Sequence, residues 1–388
     1  MIKVHSLTGR ITEKLMHQAF KKVKRNRGAA GIDKVSIGMF ESNLEQNLAA
    51  LMRDLKRGSF EPKPLRRVFI PKGLTQLRPL GIPAVRDRVA QEVLRCLLEP
   101  IFEPQFHENS FGFRPGRNCH QAVECVLELH QQGYNHVVDA DIQGFFDNIP
   151  HSVIMKAVSN VIADGNILRL IEKFLRAGVM ENGVFKPTTI GTPQGGVISP
   201  LLANIVLDAL DHHLEANGFH FVRYADDFVI LTRSQSQAQE ALVCADRFLT
   251  DSLGLTLSPE KTSVTTFAKG FAFLGFDIKG RWVRMRRKSV EKFKIKVREI
   301  TKRSHNLDAD LIAKLNQVIR GTARYFATHF SHTVDLFRRL DCWIRMRIRC
   351  VKMKRKWKTD NKRVRNKHLR RIGLIALTDF CETPATAG

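Results

Sequence analysis

The sequence lacks the features that mark membrane and secreted proteins. Its 388 residues contain no run of 18 or more apolar residues, so we expect no membrane-spanning helix. The N-terminal stretch MIKVHSLTGRITEKLMHQ has no apolar core of the kind that defines a signal peptide. Internal repeats and low-complexity segments are also missing, and the length allows two or three globular domains with a sizeable core.

Metal-binding cysteine motifs are missing as well. The seven cysteines form no CxxC pair, and no histidine has metal-ligand spacing with a cysteine or a second histidine. We therefore expect neither a zinc site nor a disulfide framework. The cysteines are interpreted as reduced, buried thiols of a cytosolic protein.

Acidic residues are few compared with basic ones. The chain has 63 Lys and Arg against 38 Asp and Glu, which gives a net charge of +25. From Arg281 to the end there are 30 basic and 9 acidic residues, so this part carries +21 of that charge. Such a basic region is typical of a polyanion-binding protein. A membrane surface is the alternative, weakened because the basic residues are spread over helices with buried faces.

Local patterns predict several helices and strands. A helix is predicted over about 86–103, a second begins at Asn118 as N-cap, and a third has Ser199 as N-cap. After Gly280 the pattern is helical, and Asp308 begins one of these helices. Three segments are predicted as strands: RRVFIPKG, HVVDADI and FAFLGFDI.

One short stretch in this basic chain pairs two carboxylates. The segment FVRYADDFVIL (221–231) places Asp226 and Asp227 between apolar runs that predict the buried strands of a hairpin. Adjacent carboxylates at such a joint repel each other unless a cation lies between them. Mg²⁺ suits this position, because it prefers oxygen ligands and combines one or two carboxylates with substrate phosphates. A surface turn with two solvated acids is the alternative.

Two-metal phosphoryl transfer requires a further carboxylate that bridges both ions. The segment VVDADIQGFFDNI (137–149) offers Asp139, Asp141 and Asp147. The two-residue period of a strand puts Asp139 and Asp141 on the same face. Spacing alone therefore leaves the choice between these two open.

Several sequence blocks, taken in order, resemble those of reverse transcriptases, in particular the group II intron type. The blocks are RGAAGIDKVS (27–36), RRVFIPKG with RPLGIP (66–83), FGFRPGRN (111–118), the two acid-bearing segments with TPQGGVISPLLANI (192–205) between them, LGLTLSPEKT (253–262) and FAFLGFDI (271–278). The resemblance covers most of the chain. The basic region after Gly280 is similar to the thumb, also called the maturase domain.

The resemblance implies a fold class and a domain order. The expected fold is an α+β right-hand polymerase with an antiparallel palm sheet and an α-helical thumb. The implied domains are mainly fingers over 1–130, palm over 131–279, thumb over 280–358 and a basic C-terminal segment over 359–388.

The resemblance also selects the metal ligands. In this family the metal-binding aspartate precedes a doubled aromatic by a short interval, which selects Asp141, and Asp226 and Asp227 complete the catalytic triad. Asp226 is expected to make the firmer metal contact, with Asp227 nearer the primer end. The resemblance also implies a metal contact at Ile142. Two Mg²⁺ ions are implied, with Mn²⁺ as a substitute.

Three cationic residues match positions that contact the triphosphate of the incoming dNTP. Lys72 and Arg78 match fingers residues that bind it, and Arg offers a bidentate fork to phosphate. Lys261 matches a lysine that protonates the pyrophosphate leaving group. The alternatives are solvated hairpin charges for Lys72 and Arg78, and a surface helix-cap lysine for Lys261.

Three further residues match positions around the base and sugar. Gln194 is expected beside the bound nucleotide, and Gly195 lets the backbone approach it closely. Phe146 corresponds to the residue that stacks under the deoxyribose and excludes a 2′-OH. The alternatives are a plain turn at Gln194 and a core aromatic at Phe146, although Phe145 fits the core better.

Nucleic-acid contacts are expected in two places. Arg114 and Arg117 match template or nucleotide contacts near the fingers, with loop-packing arginines as the alternative. In the thumb, Arg320, Arg324 and Tyr325 share a helical face that could follow the minor groove of an RNA–DNA hybrid.

The predicted function is an RNA-directed DNA polymerase of group II intron type that also binds intron RNA as a splicing maturase. The alternatives are a host-retained polymerase in DNA repair or phage defence, an RNA-binding splicing factor with incidental polymerase activity, and an RNA-templated RNA polymerase. No HNH-like run or CxxC pair is present, so we expect no endonuclease. The implied partners are template and intron RNA, a DNA primer or hybrid, dNTPs and a second copy of the chain, in the bacterial cytoplasm or nucleoid.

Overall fold

The computed structural model describes residues 3–72, 76–192 and 195–381, without the side chains of Lys72 and Gln76. The chain divides into two compact units, residues 1–264 and 265–388. Within the described ranges, no helix is long and apolar enough to cross a membrane. The predicted roles of the Lys72 side chain and of Gln194 lie outside the described residues.

The first unit begins with helices whose ends are marked by capping residues. Thr12 and Ser36 each accept a hydrogen bond from the backbone N–H three residues on, which begins the first two helices. These helices are α1 (Glu13–Arg25), α2 (Ile37–Glu41), α3 (Leu44–Arg57) and α4 (Val85–Phe102), with 3₁₀ turns at Thr8–Arg10 and Glu103–Gln105. Helix α4 coincides with the predicted helix over 86–103. It is buried on nearly all sides, so it forms the central support of this region.

A mixed sheet lies beside these helices. Its strand order is β2-β1-β4-β5, with a β1–β2 hairpin and a parallel contact between β1 and β4. The strands are β1 (Leu65–Lys72), β2 (Gln76–Ile82), β4 (Val179–Glu181) and β5 (Val184–Lys186). The strand predicted from RRVFIPKG is therefore present as β1.

The second sheet carries both acid-bearing segments. Its order is β6-β7-β3-β8, in which β7 pairs antiparallel with both β6 and β3. The strands are β3 (His136–Asp141), β6 (His220–Tyr224), β7 (Asp227–Thr232) and β8 (Ser263–Thr266), and the division between the units falls within β8. The predicted hairpin and the predicted HVVDADI strand are therefore both present.

Helices surround this second sheet. They are α5 (Cys119–Gln131), α6 (Phe145–Asn148), α7 (His151–Ser159), α8 (Gly165–Leu175), α9 (Ser199–Ala216) and α10 (Gln235–Phe248), with a π-helical turn at Leu249–Leu253. Asn118 begins α5 in a capping box with Gln121, as predicted. The prediction that Ser199 caps α9 is wrong, because Ser199 is the first helical residue and its hydroxyl accepts a hydrogen bond from Thr192.

One apolar core joins the helices of the N-terminal region to the second sheet. It includes Phe20 of α1, Val89 of α4, Ile230 of β7 and Leu207 of α9. Because the two layers share this core, the strand ends that carry the acidic residues are supported from beneath.

The second unit combines a small sheet with helices. Its sheet has the order β11-β10-β9, followed by long and then short helices. The elements are β9 (Phe271–Phe273), β10 (Phe276–Lys279), β11 (Trp282–Met285), α11 (Arg287–Ile300), α12 (Ala309–Phe326), α13 (Val334–Met353), α14 (Asp360–Arg363), α15 (Asn366–Arg371) and a 3₁₀ turn at Leu377–Phe380. Asp308 caps α12 by accepting from the N–H of Leu311, as predicted.

The prediction that FAFLGFDI forms one strand is wrong, because the segment forms two. Leu274 and Gly275 both have positive φ and break the segment into the antiparallel pair β9 and β10. Phe276 then packs on Tyr325 and Phe326 of α12, so this segment belongs to the second compact unit.

The cysteines are free thiols, but the prediction that they are buried is largely wrong. Cys350 is buried, Cys342 is exposed, and the other five are intermediate.

Truncating Phe276 should test the core of the second unit. Its ring is fully buried, with ring centroids of Tyr325, Phe326 and Phe330 at 5.1–5.8 Å. We expect Phe276→Ala to lower the free energy of unfolding by about 3–5 kcal/mol, measured by denaturant titration. Ile372→Ala, at a site that is 44% exposed, is the control and should change it by less than about 0.5 kcal/mol. Equal effects of the two substitutions would contradict this account of the core.

Candidate active site

The strand register brings three carboxylates to one end of the second sheet. Tyr224 pairs with Asp227 across the β6–β7 hairpin, so Ala225 and Asp226 form a two-residue turn. In the neighbouring pair, Asp141 lies directly opposite Asp227. The three predicted catalytic aspartates therefore converge on adjacent strand ends.

Asp139 and Asp141 differ in their position along β3. Asp139 pairs with Val229, two residues further from the turn, which is about 6.6 Å along a strand. Asp141 is the one that meets the hairpin carboxylates. The register thus supplies the choice that the alternating pattern leaves open. Asp147 lies in the short helix α6, outside the strand.

The turn itself has an unfavourable backbone conformation. Ala225 has φ +58°, a value that suits the first central residue of a type II′ turn but that L side chains rarely adopt. Non-glycine residues in this region persist only where their surroundings enforce it, and they cluster at functional sites.

Burial and neighbouring negative charge raise the proton affinity of the two hairpin carboxylates, Asp226 and Asp227. Desolvation by the surrounding protein, followed by the charges of Asp226, Asp141 and Asp139, raises the pKa of Asp227 to about 6. Desolvation and then the charge of Asp141 also raise the pKa of Asp226. This end of the sheet therefore carries negative charge that the protein only partly compensates.

Lys261 provides part of that compensation. Its Nζ lies 2.8 Å from Oδ2 of Asp141, and this hydrogen bond is the main reason that the pKa of Lys261 is raised. The LGLTLSPEKT block is attached to the sheet beside the triad, since the N–H of Ser258 donates to the carbonyl of Asp141. The lysine therefore lies within the carboxylate cluster and is not a distant helix cap.

Ile142 follows Asp141 and bridges to Leu257. Its side chain is buried and apolar. A metal contact at Ile142 would therefore have to come from its main-chain carbonyl.

The arrangement suits a divalent cation that brings other ligands with it. No cluster of three or more His, Cys, Asp or Glu that could hold an ion by itself occurs among the described residues. Mg²⁺ does not need such a cage, because it keeps waters and combines one or two carboxylates with substrate phosphates. Burial and then the neighbouring carboxylates raise the pKa values of Asp226 and Asp227, and a bound cation would oppose both effects.

Phe146 lies at the edge of the core beside the triad. Its ring contacts the buried Phe145 at 5.3 Å and the half-exposed Phe113 at 6.3 Å between centroids. Phe146 is only partly buried, and its carbonyl accepts a hydrogen bond from the N–H of Thr192. Phe145 therefore fills the core position, and Phe146 is available to a ligand.

Residues 195–197 are held by close contacts with β2 and α4. A Cβ at Gly195, which has φ +110°, would lie 2.5 Å from the carbonyl oxygen of Gly81 in β2. Gln91 of α4 accepts from the N–H of Val197 at 2.7 Å. No local sequence pattern predicts this contact of Gln91, because its partner lies 106 residues further along the chain.

Arg78 lies on β2 with an exposed side chain. It is close enough to the triad that its charge opposes the rise in the pKa of Asp226. The structure thus brings Arg78 towards the carboxylates, where a triphosphate would also require a cation.

Arg114 and Arg117 are engaged within the protein. Arg114 is buried, with Nε donating to Glu103 and Nη1 donating to the carbonyls of His107 and Ser110. Arg117 donates to the carbonyl of Glu108 and lies over the ring of Phe111. For Arg114 the structure favours the loop-packing alternative over a nucleic-acid contact, because its donors are already used inside.

The predicted thumb residues of α12 differ in exposure. Arg320 and Arg324 are both exposed one turn apart. Tyr325 is partly buried, stacks on Phe276 and donates its hydroxyl hydrogen to the carbonyl of Leu274. Tyr325 therefore supports the β9–β10 turn. The guanidinium groups of Arg320 and Arg324 are instead exposed to solvent.

Comparisons with known proteins agree with this geometry. Residues 70–278 match the reverse transcriptase (RNA-dependent DNA polymerase) family, and residues 290–373 match the group II intron, maturase-specific domain. The first match covers more than half of the chain, so the chain belongs to the reverse transcriptase family. With the second match, it is of the group II intron type.

Individual relatives support the same assignment. Protein YkfC of Escherichia coli is 36% identical over 63% of this chain and 74% of that protein. The group II intron-encoded protein LtrA of Lactococcus lactis is 31% identical over 79% of this chain and 60% of LtrA. The structure also has some likeness to a solved telomerase from Candida albicans in complex with a fragment of telomeric RNA, with a TM-score of 0.45 at 12% identity, over 87% of this chain and 66% of that chain. The assignment does not rest on this likeness.

These matches confirm four of the sequence-based predictions: the family, the α+β polymerase fold, the enzyme class of RNA-directed DNA polymerase and the group II intron type. This family generally depends on divalent metal ions, and its domains imply nucleic-acid partners.

Substituting the two aspartates of β3 should separate their roles. We expect Asp141→Asn to lower kcat for primer extension by about 10²–10³, because it removes a charge opposite Asp227. Asp139→Asn is the matched control on the same strand and face, and should lower kcat less than about tenfold. Steady-state extension rates measure both. A larger loss for Asp139→Asn than for Asp141→Asn would contradict the assignment.

Shortening Phe146 should change sugar selectivity. We expect Phe146→Ala to reduce the preference for dNTPs over rNTPs by about tenfold or more, because the ring no longer blocks a 2′-OH. The ratio of kcat/KM values for dGTP and GTP on the same primer measures it. Phe113→Ala removes the neighbouring ring and serves as the control. Unchanged selectivity in Phe146→Ala would leave the ring with a packing role only.

Proposed function

We propose that this protein extends a primer on an RNA template with dNTPs, and that it binds intron RNA as a splicing maturase. The observation that supports the polymerase most directly is the convergence of Asp141, Asp226 and Asp227 at one end of the second sheet. The reaction is attack of the primer 3′-OH on the α-phosphate of a dNTP, with release of pyrophosphate.

The three aspartates would hold two Mg²⁺ ions, with the carbonyl of Ile142 adjacent. When bound, these ions lower the charge on the triphosphate and orient the attacking and leaving oxygens. The chain's own residues then position the substrate. Arg78 and Lys72 bind triphosphate oxygens, and Phe146 excludes the 2′-OH.

Lys261 would act as the proton donor in this mechanism. Its raised pKa keeps the ammonium protonated at neutral pH, since the hydrogen bond with Asp141 favours the charged form. A protonated lysine beside the triad can donate to the pyrophosphate as it leaves. Because the same ammonium neutralises Asp141, it also limits repulsion within the cluster before substrate binds.

The host-retained polymerase is the second candidate, because its active site would be identical. Flanking DNA with intron ends would favour the intron-borne enzyme, and their absence would favour a role in repair or defence. We further propose that the protein acts in the bacterial cytoplasm or nucleoid, with template RNA, a DNA primer and a second copy of the chain as partners.

Primer extension on RNA with dNTPs and Mg²⁺ tests the polymerase proposal. Wild-type protein should extend the primer, and Asp226→Ala should not. An equal amount of folded Asp226→Ala that extends normally would overturn the assignment of the triad. Tight RNA binding without extension by the wild type would instead favour the splicing-factor alternative.

RNA binding by the second unit should be electrostatic and salt-dependent. We expect the double variant Arg320→Gln, Arg324→Gln to bind RNA more weakly and to reduce the slope of log K against log salt by about 1–2. Lys314→Gln is the matched control on α12, because Lys314 is already paired with Asp310 at 2.6 Å. Filter binding at several salt concentrations measures the slopes. Equal slopes for all three proteins would remove α12 from the RNA contact.

A further inference from the structure

A fully buried ion pair lies behind the catalytic turn. Arg223 of β6 and Asp211 of α9 are both 0% exposed. Nε of Arg223 donates to Oδ1 of Asp211 at 2.7 Å, and Nη2 donates to Oδ2 at 2.5 Å. Apolar side chains of similar size often stabilise a core as well as a buried ion pair does, so stability alone is a weak reason for this pair.

The guanidinium also reaches the turn itself. Nη1 of Arg223 donates to the carbonyl of Ala225 at 2.9 Å and to Oδ1 of Asn204 at 3.1 Å. Ala225 is the strained residue directly before Asp226. The guanidinium is planar and rigid, so its hydrogen bonds with Asp211 and Asn204 fix its orientation. That orientation in turn fixes the position of the Ala225 carbonyl that Nη1 contacts.

A second segment confines the turn from another side. Nδ2 of Asn204 donates to the carbonyl of Gly112 at 2.8 Å. A Cβ on Gly112 would lie 2.2 Å from the backbone nitrogen of Ala225, so only glycine allows this approach. The N–H of Phe111 donates to the carbonyl of Arg223 at 2.9 Å, which attaches the same segment to β6.

From these contacts we propose that Arg223, Asp211, Asn204 and Gly112 are positioning residues for the polymerase reaction. They fix Ala225, and through it the carboxylate of Asp226, relative to Asp141 and Asp227. None of the four would touch substrate. The inference rests on the proposed function, and it assigns part of the FGFRPGRN block to support of the catalytic turn and not to template binding.

Asn204→Ala is the most direct test, because it leaves the Arg223–Asp211 pair intact. We expect kcat to fall at least about tenfold and the Mg²⁺ concentration for half-maximal activity to rise, since small misplacements of catalytic groups are costly. Affinity for the RNA–DNA hybrid should stay unchanged. A purely structural role would reduce the amount of folded protein but would not move the Mg²⁺ midpoint of the folded fraction.

Gly112→Ala provides a second variant that acts by displacement, in case Asn204→Ala does not fold. Its added methyl group must push on the backbone of the turn, so the same changes in kcat and Mg²⁺ midpoint are expected. Gly9→Ala is the control, because a Cβ there meets nothing within 4 Å. Wild-type kcat and Mg²⁺ midpoint in folded Asn204→Ala or Gly112→Ala would overturn the proposal.

Amide hydrogen exchange tests the positioning role independently of activity. Exchange at residues 225–228 should be faster in Asn204→Ala than in wild type or Gly9→Ala. If wild-type protein extends no primer, the proposed function fails, and the exchange result still decides whether these residues hold the turn. Unchanged exchange at the turn would overturn the positioning role even if the enzyme is active.

Discussion

Electrostatic repulsion among three carboxylates is the constraint on which the first unit depends. Two like charges about 4 Å apart repel by about 4 kcal/mol where the effective dielectric constant is near 20. The sheet register nevertheless holds Asp141 opposite Asp227 and beside the turn that carries Asp226. Lys261 offsets part of this repulsion, while burial and then the neighbouring charges raise the pKa values of Asp226 and Asp227. A cation bound by the cluster would offset the repulsion that Lys261 leaves.

A rigid interior is what makes such a cluster sustainable. The shared core of the N-terminal helices and the second sheet supports the strands from beneath. Inside the first unit, Nη1 of Arg223 donates to the carbonyl of Ala225, and the side chain of Gln91 accepts from the N–H of Val197. Asp211 holds the Arg223 guanidinium from the other side. Charge at the site is therefore accompanied by hydrogen bonds from buried side chains to the backbone next to it.

The sequence predicted the parts of this structure that follow from local patterns. Apolar runs indicated the β6–β7 hairpin and β3, and caps indicated α5 and α12. Non-local pairings were beyond such patterns: period-2 alternation could not separate Asp139 from Asp141, whereas register does. The solvent exposure of side chains could not be predicted either, because no local sequence pattern shows that the donors of Arg114 bond within the protein. The LG step within FAFLGFDI also went unrecognised as a turn, since the apolar run on both sides masked it.

The contact between Gly195 and Gly81 has a consequence for how this enzyme can change. Two backbones meet there with no room for a side chain on Gly195, so the backbone at Gly195 and strand β2 fit closely together. A substitution at Gly195 would displace β2, so substrate preference cannot change through a side chain at that position. Under the proposed function, variation is open instead at the partly exposed side chain of Phe146. Substrate preference could then change through that side chain, whereas the backbone contact at Gly195 stays fixed.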